Sequence, residues 1–274
     1  YYLISAGAWT DYDSDYLRKA VADKMPEFGA IEVQDVTTQW GVFAIAGPKS
    51  REVLSAVIKD ADPASALSNK RFPWLSARQI ELGMCPVNAI RVAYTGELGW
   101  ELHHPIEMQN YLFDLLEAAG APHGMKLVGG RAQNWLRQEK SYRAFGTELG
   151  RDATPLEADL PRFVDLGKEF QGRDAMQALG IRSKCVTLLI DGPEDADPWG
   201  REALYAADGT RVGRLTSGGY SVVFEKSIGM GYVRPAHAAV GSKLKVKILD
   251  QLWDAEIVED SPYDPKNAVI RMDG

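Results

Sequence analysis

The sequence is poor in the residues that many chemistries require. It has two cysteines, Cys85 and Cys185, far apart and outside any C-x-x-C pattern. That excludes a disulfide framework and a thiolate zinc site. Two free thiols fit a reducing compartment, the cytoplasm or, in a eukaryote, the mitochondrial matrix. The four histidines, His103, His104, His123 and His237, form no H-x-x-x-H pair, so no metal site is expected. Positive charge is in deficit: 31 Lys and Arg against 38 Asp and Glu give a net charge of −7. A global basic footprint for nucleic acid is therefore absent, although a local arginine can still hold a small anion. No apolar run approaches the ~20 residues of a membrane helix. There is no G-x-S-x-G elbow and no phosphate-binding loop. Gly229-Met230-Gly231 has no helix after it, so it is not a dinucleotide fingerprint, and any flavin of the system is expected outside this chain.

The 274 residues, 45% hydrophobic and 25% charged, suit one large or two moderate soluble domains. "YYLISAGAWT" has strand character and begins with Tyr rather than Met, so a longer chain is expected. Asp11 to Asp23 reads as a helix with acids in its first turn. "AIEVQDVT" alternates like a half-buried strand. "WGVFAIAGPKSREVLSAVI" runs from strand through Gly47-Pro48 to a helix from about Ser50. "NAIRVAYTGELGWELHHP" reads strand, turn, strand, and "PIEMQNYLFDLLEAAGAP" and "GRAQNWLRQEKSY" read as helices. From "CVTLLID" onward the chain is short strands and turns, with Asp208-Gly209 a strong hairpin signal. The expectation is an α+β region over 1–182, followed by a small β-barrel or sandwich over 183–274.

Aromatics and charges gather in the middle of the chain: Tyr94, Trp100, Trp135, Tyr142 and Phe145 among Glu97, Glu101, Arg131, Arg137, Glu139 and Arg143. They read either as a helix packed on a hairpin with solvated charges, or as a slot for a flat, hydrogen-bonding, anionic ring compound.

Five blocks in order, "WGVFAIAGPKSREVL", "AYTGELGWELHHP", "NWLRQEKSYRAFGTEL", "TPLEADL" and "TSGGYSVVFEKSIGMGYV", resemble the glycine-cleavage T-protein (aminomethyltransferase) superfamily. Within it they look most like the folate-binding part of dimethylglycine and sarcosine dehydrogenases. The resemblance implies a folate-binding α+β region and a C-terminal barrel. It implies transfer of one carbon from an N-methyl or aminomethyl donor to tetrahydrofolate, giving 5,10-methylenetetrahydrofolate, with FAD only in an additional domain or subunit. The alternatives are a non-catalytic folate-binding protein of the same fold and a folate-dependent O- or S-demethylase.

Four residues carry over as folate-binding: Tyr94, Glu101, Arg137 and Phe145. A carboxylate such as Glu101 accepts the two adjacent donors of a pterin edge in a bidentate pair. Tyr94 and Glu101 are an odd number of residues apart, so the chain must bend between them, which Gly96 and Gly99 allow. Glu97 is then expected to be the more solvated acid. Arg137 stands against an ion-pair alternative with Glu139 or Glu157, and Phe145 against a place in the core. Ser5 to Ala8 is expected to pass close to the pterin. Two positions depart from the family pattern, Gln138 for Leu and Asp159 for Gly. The family's catalytic aspartate is expected upstream of Tyr1, leaving no catalytic residue identifiable in this chain.

Overall fold

The computed structural model describes residues 1–193 and 195–273. The chain begins with six irregular residues and one 3-10 turn, Gly7–Trp9. Helix α1 (Thr10–Phe28) is followed by strand β1 (Trp40–Ala46), helices α2 (Ser50–Ser55) and α3 (Pro63–Ala66), and strands β2 (Ala77–Leu82), β3 (Cys85–Ile90) and β4 (Gly99–Pro105). Helices α4 (Gln109–Gly120), α5 (Gly130–Glu139) and α6 (Arg173–Leu179) come next. Strands β5 (Lys184–Ile190), β6 (Ala203–Tyr205), β7 (Arg211–Ser221), β8 (Lys226–Val233), β9 (Lys243–Ile248) and β10 (Gln251–Val258) complete the chain.

β1 to β4 form an antiparallel sheet in the order β1-β4-β3-β2, and β5 to β10 close into a barrel in the order β10-β5-β8-β7-β6-β9. The expected α+β region followed by a barrel is therefore observed, with closure deciding between barrel and sandwich. Closure removes every sheet edge, which is how short antiparallel strands avoid exposing unpaired amides. Alternation along the strands sorts the faces. Trp100 and Leu102 of β4 join Ile45, Val87 and Ala89 in a core closed by Val53 and Leu54 of α2 and by Leu112 and Leu116 of α4. Glu101 and His103 lie on the opposite face. The barrel has its own core, built from Val186, Leu188, Ile190, Leu215, Val246 and Ile257. Cys85 and Cys185 are free and buried.

Two expected strands do not form. "YYLISAGAWT" is irregular, and its Leu3 and Ile4 side chains stay exposed. Ser5, Ala6, Gly7 and Ala8 bring little side chain to bury, so a strand here would gain almost nothing from packing. "AIEVQDVT" is irregular too: Asp35 accepts the Thr37 N–H at 2.9 Å, a local turn that competes with strand pairing. α1 forms where expected but has no buried residue.

After the barrel, the tail returns to the sheet layer. Tyr263 N–H donates to Glu139 O at 3.0 Å. The buried Lys140 ammonium donates to Tyr263 O (3.1 Å), Asp264 O (2.7 Å) and Asn267 Oδ1 (2.9 Å). Arg51 donates to Met272 O at 2.7 Å, and Ile270 is 2% exposed. At the entrance to the barrel, the fully buried Glu157 carboxylate accepts from Thr154 N–H and from the backbone and guanidinium of Arg182, all at 2.9–3.0 Å. These bonds, that from the Arg182 side chain foremost, hold the Glu157 pKa down at about 2.

Two predictions follow from this geometry. A carboxyl depressed from the ordinary ~4.3 contributes stability that is complete above that pH and is lost as pH falls toward 2. Glu157→Gln should cost about 2 kcal/mol near neutrality, and chemical denaturation at stepped pH should show the gap to the parent closing only below pH ~4. Asp159, where the family pattern has glycine, has φ +60, in the left-handed region. Asp159→Gly should raise the melting temperature or leave it unchanged, whereas Asp159→Val should cost about 1–2 kcal/mol; equal melting of the two variants would contradict the backbone argument.

Candidate functional site

Tyr94 lies in the turn between β3 and β4 rather than on a strand. Its ring stacks on Tyr142 with centroids 6.0 Å apart, and its hydroxyl donates to Arg143 O at 3.1 Å. Burial raises its pKa, so it is a neutral hydroxyl under ordinary conditions. The bend at the glycines is real. Gly96 has φ +81, and a Cβ there would lie 2.2 Å from Lys140 Cγ. At Gly99 a Cβ would lie 2.6 Å from the backbone oxygen of Ile45, so β4 can approach β1 only with glycine here.

Glu101 pairs in register with Ala44 and Ile90, and its side chain is 34% exposed. His103, two residues on and 2% exposed, places Nε2 3.5 Å from the Glu101 carboxylate and Nδ1 3.1 Å from the Tyr2 hydroxyl. A Tyr2 hydroxyl donating to Nδ1 leaves the proton on Nε2, facing Glu101. Tyr2 thus covers His103, and His103 lies beneath the Glu101 carboxylate, which stays in reach of solvent.

Phe145 is 52% exposed and meets Trp9 edge-on at 5.3 Å. Of its two readings, the core is the one the structure rejects. The N-terminal segment therefore touches both halves of the site: Tyr2 lies against His103 and Trp9 against Phe145. Ser5 to Ala8 is the chain between these contacts.

Arg137 is placed differently from expectation. It is 1% exposed, and its guanidinium is spent on Glu148 (2.7 Å), Ser217 (2.5 Å), Tyr142 O (2.9 Å) and Asn134 (3.0 Å). Its partner is Glu148, not Glu139 or Glu157. Glu148 also accepts from Thr147 and Thr216 hydroxyls and from Ala144 N–H, at 2.6–3.0 Å. Burial alone would raise its pKa, but Arg137 and the hydroxyls hold it below the usual carboxylate value. A bulge at Thr216, where β7 slips against β8, brings two successive residues to this carboxylate; Ser217 donates to it at 2.5 Å. Arg137 thus joins α5 to the barrel and shapes the loop carrying Tyr142 and Phe145.

Other parts of the expected slot also lie elsewhere. Trp100 is fully buried in the sheet core, with Arg51 and Arg91 at 5.5 and 5.6 Å from its ring. Trp135 packs on Gly219 of the barrel, where a Cβ would be 2.1 Å from its ring. Glu97 is not a solvated acid: it is half-buried and accepts from Tyr263 at 2.8 Å. Among the described residues, surface cavities of about 450, 580 and 990 Å³ are lined by residues other than Tyr94, Glu101, Arg137 and Phe145. Of the four, Phe145 is exposed, Glu101 and Tyr94 are half-buried and Arg137 is buried. Among the described residues no cluster of His, Cys, Asp or Glu could hold a metal ion, and no helix is long and apolar enough to cross a membrane.

Sequence reading missed His103, Tyr2, Trp9 and Glu148. The His103-His104 doublet is visible in the sequence, but only as a failed metal motif. The distance of Glu148 from Arg137, 11 residues with a loop between, has no periodic signal.

Residues 1–168 match the GCVT N-terminal domain, and residues 184–264 match the glycine cleavage T-protein C-terminal barrel domain. The chain belongs to the glycine-cleavage T-protein family. Mitochondrial dimethylglycine dehydrogenase of Mus musculus is 36% identical over 89% of this chain, and mitochondrial sarcosine dehydrogenase of the same species is 31% identical over 99%. This T-protein homologue spans only 28% and 30% of those two proteins. An aminomethyltransferase of Natranaerobius thermophilus is 29% identical over 95% of the chain and 69% of its own length. In fold, the chain is similar to the glycine cleavage system aminomethyltransferase T of Bartonella henselae, with a TM-score of 0.73 at 22% identity over 90% of this chain and 66% of that one.

Removing one partner from the Arg137–Glu148 pair strands a buried charge. Arg137→Met should cost about 3–5 kcal/mol in urea denaturation. Adding Glu148→Leu should recover part of that loss, because no charge is then left unpaired; a double variant as unstable as the sum of the two single ones would show the pair is not coupled.

Proposed function

We propose that this T-protein homologue binds tetrahydrofolate and serves one-carbon transfer from an N-methyl or aminomethyl donor of the dimethylglycine or sarcosine type, with 5,10-methylenetetrahydrofolate as product. The observation that carries the reading is the Glu101 carboxylate, which lies over His103, is half-open to solvent and is free of any Lys or Arg partner among the described residues. A carboxylate so held can accept two adjacent donors of a pterin edge. Its surroundings fit a flat apolar ring: Val42 and Ala44, on the neighbouring strand, are exposed beside it. Tyr94 and Phe145 supply aromatic surface. Tetrahydrofolate, when bound, supplies the nitrogens that take up the one-carbon unit. This chain's residues bind and orient it, and Ser5 to Ala8 would border it.

Oxidation of the N-methyl donor belongs, in this proposal, to a flavin carried by another domain or subunit. The names of the dehydrogenase relatives, of which this chain spans under a third, support that arrangement. The relation to an aminomethyltransferase supports the transfer itself. A second reading, folate binding without catalysis, has one observation in its favour. Glu148, the carboxylate next to the Tyr142–Phe145 loop, is wholly occupied by Arg137, Thr147, Thr216 and Ser217 and is not available as an acid or base.

Titration calorimetry with tetrahydrofolate tests the binding. Glu101→Ala should lose about 1.5–3 kcal/mol, roughly 10- to 150-fold in Kd; unchanged affinity would remove Glu101 from the site. Turnover of dimethylglycine or sarcosine with tetrahydrofolate and the complete flavin partner separates the two readings, since methylenetetrahydrofolate appears only under the first.

A further inference from the structure

The ~990 Å³ cavity lies between the 146–153 loop and the start of β7 and end of β8, away from Glu101. Five arginines line it: Arg151, Arg201, Arg211, Arg214 and Arg234. All five are exposed, and none has a carboxylate within ion-pair distance among the described residues. Against them the lining offers Asp152 and Glu148, the latter already neutralised by Arg137. In a chain of net charge −7, this is a concentrated positive field.

Two backbone features aim these side chains. Arg211 and Arg214 are three residues apart, which on a regular strand would put them on opposite faces. The register of β6 with β7 slips here: Tyr205 faces Arg211 while Leu204 faces Gly213, leaving Val212 as an extra residue. The bulge turns Val212 into the barrel core and leaves both arginines outside. Gly213 makes this possible, because a Cβ there would lie 2.1 Å from Tyr232 O. Arg201 has φ +81, a left-handed conformation unusual for a residue with a side chain, and is held by its N–H bond to Leu215 O at 2.8 Å. Arg151 lies over the rings of Trp9 and Tyr12, at 5.3 and 4.7 Å.

We infer that this groove is a binding site for an acidic peptide segment, a chain carrying several aspartate or glutamate carboxylates. Guanidinium groups pair with carboxylates bidentately. Along β7, Arg211 and Arg214 stand opposite Tyr205 and Ala203, two strand steps or about 7 Å apart at ~3.3 Å per residue, the spacing of alternate side chains on an extended chain rather than that of one compact anion. The groove is also far larger than a single phosphate or carboxylate needs. The inference does not rest on folate binding.

The test is fluorescence anisotropy with a labelled hexa-glutamate peptide at ~50 mM salt, with hexa-glutamine as the uncharged comparison. Hexa-glutamate should bind, weaken steadily as salt rises, and bind at least about 10-fold more weakly to the Arg211→Gln/Arg214→Gln double variant. Arg18→Gln, on α1, should leave binding unchanged. Thermal melting of each variant checks folding, and the salt titration and phosphate competition on the parent protein do not depend on any variant. Absence of binding, equal binding by the double variant, or hexa-glutamine binding as well as hexa-glutamate would overturn the inference. Displacement of the peptide by inorganic phosphate at a concentration similar to the peptide's own would also overturn it, by showing a compact-anion site.

Discussion

The buried Arg137–Glu148 pair is the constraint on which the rest depends. Two charges taken out of water are costly unless every remaining donor and acceptor is met. Here they are met from three sides: α5 supplies Arg137, the loop after it supplies Tyr142 O and Ala144 N–H, and β7 supplies Thr216 and Ser217. No subset of these groups satisfies the pair, so the helix, loop and barrel must take one relative arrangement. That arrangement fixes the loop from which Tyr142 stacks on Tyr94 and Phe145 reaches Trp9.

The candidate site is built in two styles. On the sheet side, regular strand geometry presents Glu101, and alternation alone decides that it faces away from the core while Trp100 and Leu102 face in. On the loop side nothing is regular, and hydrogen bonds to one buried carboxylate replace periodicity. The irregular N-terminal segment touches both, which gives a functional reason for a stretch that brings so little to packing.

What was legible in the sequence follows the same division. β1, β4, α4, α5 and the barrel strands could be read because their burial patterns repeat with a strand or helix period. Glu101 was located by a motif, and the need for a bend before it by its odd separation from Tyr94; its face on β4 came only with the structure. Arg137 was found by motif, but its burial and its Glu148 partner were not legible, because they depend on a barrel strand 80 positions away. His103 could not have been found, since its importance comes from Tyr2, 101 positions away. The two strands that failed were legible as propensity only; Asp35 and the run of small residues after Ile4 overrode them.

The returning tail has a consequence for how the barrel is held. The chain is pinned where it enters the barrel by Glu157 and Arg182, and where it leaves by Tyr263, Asp264 and Asn267 around Lys140. Between those two points the buried Arg137–Glu148 pair joins α5 and the loop after it to β7. The barrel is thus joined to the rest of the chain at its entrance, at its exit and along β7, by more than its two linkers.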